Sequence, residues 1–122
     1  HPEGSMTNQE VCAQLHKLSP EVEVVALVGP SGALEGYVGP AEVEAIVGPM
    51  LTPLFTLADR AGQELGRGAL NLLITEGSRG LVVAHDLGGG RALALVVRPG
   101  AALGLLLDDL RAAADQLNRL AA

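Results

Sequence analysis

The chain has 122 residues and a mass of 12.4 kDa, which is enough for one domain with one buried core but not for two. It is acidic, with a formal net charge of −6 and scattered Lys and Arg residues, which argues against nucleic-acid binding because that needs basic residues to displace counterions from phosphates. Aromatic residues make up 2% of a chain that is 48% hydrophobic, so Val, Leu, Ile and Ala must build the core.

The first residues of the chain, its hydropathy and its single cysteine limit the class of protein further. Residues 1–5 precede a Met and have the form of an expression-tag remnant, which leaves 6–122 as a single expected domain. The longest uncharged stretch, 45–58, is shorter than the about 20 apolar residues that a bilayer span needs. No secretory signal is visible, so we expect a cytoplasmic protein without membrane insertion. The sole cysteine, Cys12, cannot form an internal disulfide.

The first predicted elements are a short helix and a β-hairpin. Thr7 and Glu10 have the spacing of a capping box at the start of the helix. Residues 21–28 then alternate in the manner of a strand, followed by the turn signal 29–32 and a second strand over 33–38. Alternation places the side chains of the first strand on two faces, with Val22, Val24, Ala26 and Val28 on one and Val25 and Leu27 on the other.

The segment 40–66 is the longest periodic stretch of the chain. Its apolar residues recur at helical spacing, but two prolines, Pro49 and Pro53, lie in its interior, where each costs a helix about 3 kcal/mol. Both a kinked single helix and two helices broken near Gly48-Pro49 fit this pattern. The apolar band is wider than one core-facing stripe needs, which indicates that a second chain covers part of it.

Three strands and a closing helix complete the predicted order. Gly66-Arg67-Gly68 is a stop signal for the long helix. The predicted strands cover 69–75, 81–85 and 92–97, with turns at 76–80 and 86–91. The last of these strands is apolar on both faces, which predicts a central strand covered from both sides. Residues 101–122 form an amphipathic helix, so the order is α-β-β-α-β-β-β-α and the fold class is α+β.

Residues that could carry chemistry are few, and none of them forms a recognisable site. Gly88-Gly89-Gly90 lacks the Lys-Ser/Thr pair of a P-loop and precedes a strand instead of a helix. His16 and His85 lack the spacing of metal ligands, and the adjacent carboxylates Asp108-Asp109 diverge by about 100° on a helix. The sequence therefore predicts no catalytic residue, no cofactor and no metal site, and indicates a binding function.

Three segments resemble the Roadblock/LC7 superfamily, which includes the bacterial MglB-like proteins. They are VVALVGPSGALEGY (24–37), the strand-rich run ALNLLITEGSRGLVVAHDLGGGRALALVV (69–97) and the tail RPGAALGLLLDDLRAAADQL (98–117). The resemblance implies a five-stranded antiparallel sheet with the long middle helix on one face and the terminal helices on the other.

The resemblance also implies partners. Such domains form homodimers, or heterodimers with a paralogous Roadblock domain, in which the middle helices pack antiparallel and the following strands pair across the dimer. On this chain the implied interface residues are Ile46, Val47, Met50, Leu54, Ala58, Ala61, Leu70, Leu72 and Ile74. Family members bind small Ras-like GTPases or act as scaffolds, so we expect a non-catalytic regulator whose docking side includes Arg60, Glu64 and Arg67.

Two other functions remain open at this stage. A profilin-like or PAS-like domain that senses a small molecule would need a pocket between sheet and helix, with Asn71, Thr75 and His85 as the available polar groups. A purely structural assembly subunit would dimerise without binding any GTPase.

Overall fold

The computed structural model describes residues 6–122, so the predicted tag remnant lies outside the described residues. The elements are α1 (Asn8–Leu18), β1 (Val22–Val28), β2 (Leu34–Val38), α2 (Ala41–Glu64), β3 (Leu72–Gly77), β4 (Gly80–Gly88), β5 (Arg91–Val97) and α3 (Leu103–Ala121). Their order is the predicted α-β-β-α-β-β-β-α, and the α+β class is confirmed.

The strands form one five-stranded sheet in the order β2-β1-β5-β4-β3. Every neighbouring pair is antiparallel. The predicted central strand is β5, which pairs with both β1 and β4 and buries Leu93 and Leu95 completely. The edges of the sheet are β2 and β3.

Helices cover both faces of the sheet, but to different extents. The larger core lies between the sheet and the two terminal helices, where Leu15, Leu106 and Leu110 pack on β1, β4 and β5. The smaller core lies under α2, which contributes Val47 and Leu51. This is the arrangement that the resemblance to the Roadblock/LC7 superfamily implies.

The capping box at the start of α1 is present. The Thr7 hydroxyl oxygen accepts a hydrogen bond from the Glu10 N–H at 3.1 Å, and the Glu10 carboxylate accepts one from the Thr7 N–H at 2.9 Å. Together they satisfy two backbone donors at the helix terminus. The second of these bonds holds the pKa of the Glu10 carboxyl below its usual value.

Despite its interior prolines, α2 is one continuous helix of 24 residues, so the alternative of two shorter helices is wrong. The helix lies so close to the β1–β2 turn that a Cβ on Gly48 would come within 2.0 Å of the Gly32 carbonyl oxygen. It ends as predicted, in a Schellman motif: Gly66 has φ 73°, and the Arg67 N–H donates to the Gly62 carbonyl at 2.7 Å.

The strand ends differ from the predicted ones because the ladders continue into glycine-containing turns. β3 starts later than expected, at Leu72, and reaches Gly77, so the β3–β4 turn shrinks to Ser78-Arg79. The β4–β5 turn shrinks in the same way to Gly89-Gly90, where φ values of 62° and 80° suit glycine.

One predicted face assignment in β1 is wrong. Val22 packs with Val25 and Leu27 in the core under the terminal helices, not with Ala26 and Val28 under α2. The reason is a register shift between Val22 and Val24, which breaks the alternation that the sequence shows.

Candidate functional site

Few residues of α2 are buried against the sheet. In this 24-residue helix, buried positions are limited to Val47, Gly48 and Leu51. Val47 and Leu51 are four residues apart and share the side that faces the sheet, with 6% and 7% of their surfaces exposed. Val47 was expected in the dimer interface, and this expectation is wrong because its side chain fills the core of its own chain.

The outer side of α2 is apolar and open. Ile46, Met50, Leu54 and Leu57 are 55%, 68%, 40% and 65% exposed, and their spacing of four, four and three places them along one side. Ala61 continues the row one turn later and is also exposed. We call these five residues the outer α2 face. Leu57 was not among the predicted residues, although its spacing from Met50 and Leu54 could have identified it.

By length and composition alone, α2 could also cross a membrane. Its most apolar 18-residue window has a mean hydropathy of 1.2, and 17% of that window is buried within the chain. Such a window is weak evidence, since helices of proteins outside membranes pass the same test. Val47 and Leu51 of the same helix pack on the sheet, so α2 is part of the core of this domain.

The edge strand β3 lies beyond the end of α2. In the described part of the chain β3 pairs with β4 alone, so its other side presents unpaired backbone groups. Of the predicted edge residues, Ile74 is 39% exposed, whereas Leu72 is half-buried against the core under the terminal helices. Leu70 precedes the strand and is half-buried.

Asp59 connects α2 to the segment before β3. Its Oδ1 accepts a hydrogen bond from the Leu70 N–H at 2.8 Å, and its Oδ2 accepts one from the Gln63 side-chain amide at 2.8 Å. The carboxylate therefore fixes the path of the chain from the helix into the edge strand. It was not among the predicted residues, because nothing in the sequence marks a contact with a backbone N–H across the loop.

The opposite edge of the sheet is occupied. The Gln9 side-chain amide donates to the Tyr37 carbonyl oxygen at 2.8 Å, and its oxygen accepts from the Tyr37 N–H at 2.8 Å. Tyr37 belongs to β2, so a side chain of α1 takes up backbone groups that a further strand would need. The two edges of the sheet are thus unequal, and β3 is the more open one.

The residues expected to face a partner lie at the end of α2. Arg60 and Glu64 form an exposed ion pair, with 3.2 Å between Nε and Oε1. A pair of this kind adds little to stability. Both side chains are accessible to another molecule because they are exposed. Arg67 follows the helix and is also exposed.

A small-molecule pocket is not supported by the cavity under α2. That cavity has a volume of about 130 Å³ and is lined by apolar groups such as Leu51, Phe55 and Ala84, whereas ligand pockets are typically about 300–1,000 Å³. Thr75 lies on the face of the sheet beneath α2, because it pairs with Val82, which packs under that helix. His85 lies on the opposite face, together with Val83. The predicted polar groups therefore do not converge.

Residues 6–122 contain no group of three or more His, Cys, Asp and Glu side chains placed to hold a metal ion. Cys12 is fully buried, and burial raises the pKa of its thiol to about 11. It is therefore a thiol near neutral pH and not the thiolate that a nucleophile requires. Among the described residues, the features that stand out are therefore the exposed apolar side chains of the outer α2 face and the open β3 edge.

Comparison with known proteins identifies proteins that are similar to this chain. No protein-family model matches the chain. An uncharacterized protein of Methanocaldococcus jannaschii is 30% identical over 95 residues, which is 77% of this chain and 82% of that protein. The match is close enough to show that the two proteins belong to one family.

Solved structures with the same fold are more distant in sequence. The Roadblock/LC7 domain from Streptomyces avermitilis superposes with a TM-score of 0.86 at 16% identity, covering 94% of this chain and 98% of that one. MglB from Myxococcus xanthus gives 0.85 at 19% identity, with 98% and 91% coverage. An MglB with a tetrameric arrangement gives 0.81 at 16% identity, with 98% and 95% coverage.

Proposed function

The chain folds as a Roadblock/LC7-type domain and belongs to the family of the Methanocaldococcus protein, and from this premise we propose that it is a dimeric, non-catalytic regulator or scaffold for a small Ras-like GTPase. The observation that carries this proposal is the outer α2 face, whose large apolar side chains are 40% to 68% exposed; the open edge at β3 is a second candidate contact. An apolar face of this kind is typical of a protein contact site.

The proposed dimer uses both features together. Two β3 strands that pair antiparallel about a two-fold axis would join the two sheets into one and satisfy the backbone groups that β3 leaves open. The same axis would bring the two outer α2 faces together on one side of the joined sheet. The tetrameric arrangement named for one MglB structure supports self-association as a property of this fold.

The GTPase proposal rests on the family resemblance that the sequence carries. The partner would bring its own nucleotide and Mg²⁺, so this chain would need to supply only a docking surface. The exposed Arg60, Glu64 and Arg67 at the end of α2 are the proposed polar contacts around the apolar face. Any effect on hydrolysis would then act through the partner's switch segments.

Binding to small Ras-like GTPases from the same genome, each loaded with GDP or a non-hydrolysable GTP analogue, tests the function. We expect a stable complex with one of them in one nucleotide state, measured by calorimetry. The matched variants are Arg60→Ala, which should weaken the complex, and Arg119→Ala at the far end of α3, which should not. A dimer that binds none of these GTPases in either state would overturn the proposal and favour a purely structural subunit.

A further inference from the structure

At the β2 edge of the sheet, the backbone of Tyr37 is hydrogen-bonded to the side chain of Gln9. In the register of the sheet Tyr37 lies opposite Ala26 of β1, yet both its N–H and its C=O bond to Gln9. Both groups therefore point away from the sheet, as in the non-hydrogen-bonded pairs of an antiparallel ladder. A carboxamide has the same donor and acceptor as a peptide group, so Gln9 occupies the position that a peptide unit of an added strand would take.

A groove runs along this edge beside the Gln9 amide. It has a volume of about 270 Å³ and is lined by Gln9, Leu34, Glu35, Gly36, Tyr37 and Glu44. On one side α1 lies directly against β2, since a Cβ on Gly36 would be 3.0 Å from the Cys12 sulfur. The groove is shallow and open on its outer side, and it lies along β2 between Gln9 of α1 and Glu44 of α2.

The charge of this groove is negative. Glu44 lies in it and forms no salt bridge with any residue of 6–122, whereas Glu35 pairs with Arg91 at 2.9 Å. The pKa of the Tyr37 hydroxyl is raised, first by burial and then by the carboxylates of Glu44 and Glu42. If a second copy of β2 paired with this edge, its carboxylates would face those of the first copy, and like charges that face each other across strands are destabilising. Basic side chains would be attracted instead.

We propose that the β2 edge is a strand-addition site for an extended, basic peptide segment of a partner protein. Until such a segment binds, the Gln9 side-chain amide occupies the hydrogen-bonding groups of Tyr37 that the segment would use. Main-chain hydrogen bonds to Tyr37 would give the affinity, and the carboxylates would select positive charge. Because β2 and β3 are opposite edges of the sheet, the proposal does not depend on the dimer or on the GTPase.

A peptide titration followed by NMR tests the proposal. The probe is a capped seven-residue peptide of alternating Lys and Val, compared with a Glu-Val peptide and with a Lys-Val peptide that is N-methylated at alternate residues. We expect the Lys-Val peptide to shift the Tyr37 amide and Gln9 side-chain signals, and both other peptides to bind at least about tenfold more weakly, because one lacks the charge and the other the backbone donors.

Two variants separate the role of the Gln9 amide from that of α1. Gln9→Met keeps the length of the side chain but removes its donor and acceptor, so peptide affinity should rise about threefold or more. Gln14→Met changes an exposed residue of the same helix and should leave the affinity unchanged.

Three results would overturn the proposal. The first is the absence of shifts at Tyr37, and the second is equal binding of the N-methylated peptide, which would mean charge attraction alone. The third is the appearance of larger species of Gln9→Met without peptide, which would make a second copy the occupant of the edge.

Discussion

The Asp59 carboxylate accepts a hydrogen bond from the Leu70 N–H at 2.8 Å and thereby ties the end of α2 to the start of the open edge strand. The helix and the strand that form the proposed dimer surface also meet in the core under α2, where Leu73 of β3 packs in the same apolar cluster as Leu51. The Asp59 side chain adds a polar contact to this packing at the end of the helix.

Replacing this carboxylate should loosen that connection. Asp59→Ala leaves the partly buried Leu70 N–H without its acceptor, so we expect the free energy of unfolding to fall by about 1–2 kcal/mol. Urea denaturation measures this change. Asp108→Ala, at an exposed position of α3, is the control and should change stability by less than about 0.5 kcal/mol. Equal effects of the two variants would mean that the Asp59 contact does not stabilise the loop.

Gly48 should be sensitive to a single added methyl group. A Cβ there would lie 2.0 Å from the Gly32 carbonyl oxygen, so Gly48→Ala forces α2 away from the β1–β2 turn and should cost about 1–3 kcal/mol. A Cβ on Gly104 in α3 would meet no atom of residues 6–122 within 4 Å outside its own stretch of helix, so Gly104→Ala should be neutral or stabilising by up to about 1 kcal/mol. Thermal unfolding of both variants would check the contrast, and a Gly48→Ala protein as stable as the wild type would contradict it.

Pro53 interrupts the hydrogen bonding of α2 on its exposed side. Because proline has no N–H, the Pro49 carbonyl lacks its usual partner four residues later. Pro53→Ala restores that donor, and we expect the free energy of unfolding to rise by about 1–3 kcal/mol. Chemical denaturation measures the change. A loss of stability would show instead that the proline ring is packed in a way that alanine cannot replace.

The Cys12 thiol should be protected by the fold. Its raised pKa of about 11 and complete burial keep it un-ionised at pH 8, so a thiol-specific reagent should label it at the rate of unfolding. Since its native pKa lies above the ordinary value of 9.0, its contribution to stability is complete below pH 9 and is lost as the pH rises to 11. Fast labelling of the native protein at pH 8 would contradict this account.

Local sequence signals predicted most of the fold. The Thr7–Glu10 capping box, the glycine stop after α2 and the doubly apolar β5 each act within a few residues, and all are confirmed. The strand ends were wrong because ladder pairing continues into the glycines at the turns. Val22 was assigned to the wrong face because a bulge depends on the partner strand and not on the alternation of the sequence itself.

The candidate site was predictable only in outline. The width of the apolar band showed that α2 has surplus apolar surface, but not which sector of the helix meets the sheet, and for this reason Val47 was placed on the wrong side. Gln9 and Tyr37 are 28 residues apart, and Asp59 and Leu70 are 11 apart. Contacts of this kind follow from the packing of the whole chain, and no residue pattern marks them.

If the outer α2 face is a subunit interface, as we propose, the mass of the protein in solution depends on that face. Leu57 on that face and Leu105 on α3 are 65% and 70% exposed, so aspartate at either position should be tolerated by the monomer fold. By sedimentation at micromolar concentration, we predict twice the chain mass of 12.4 kDa for the wild type and for Leu105→Asp, and the single-chain mass for Leu57→Asp. A folded wild-type monomer, or a Leu57→Asp protein that keeps the dimer mass, would show that the outer α2 face is not a subunit interface.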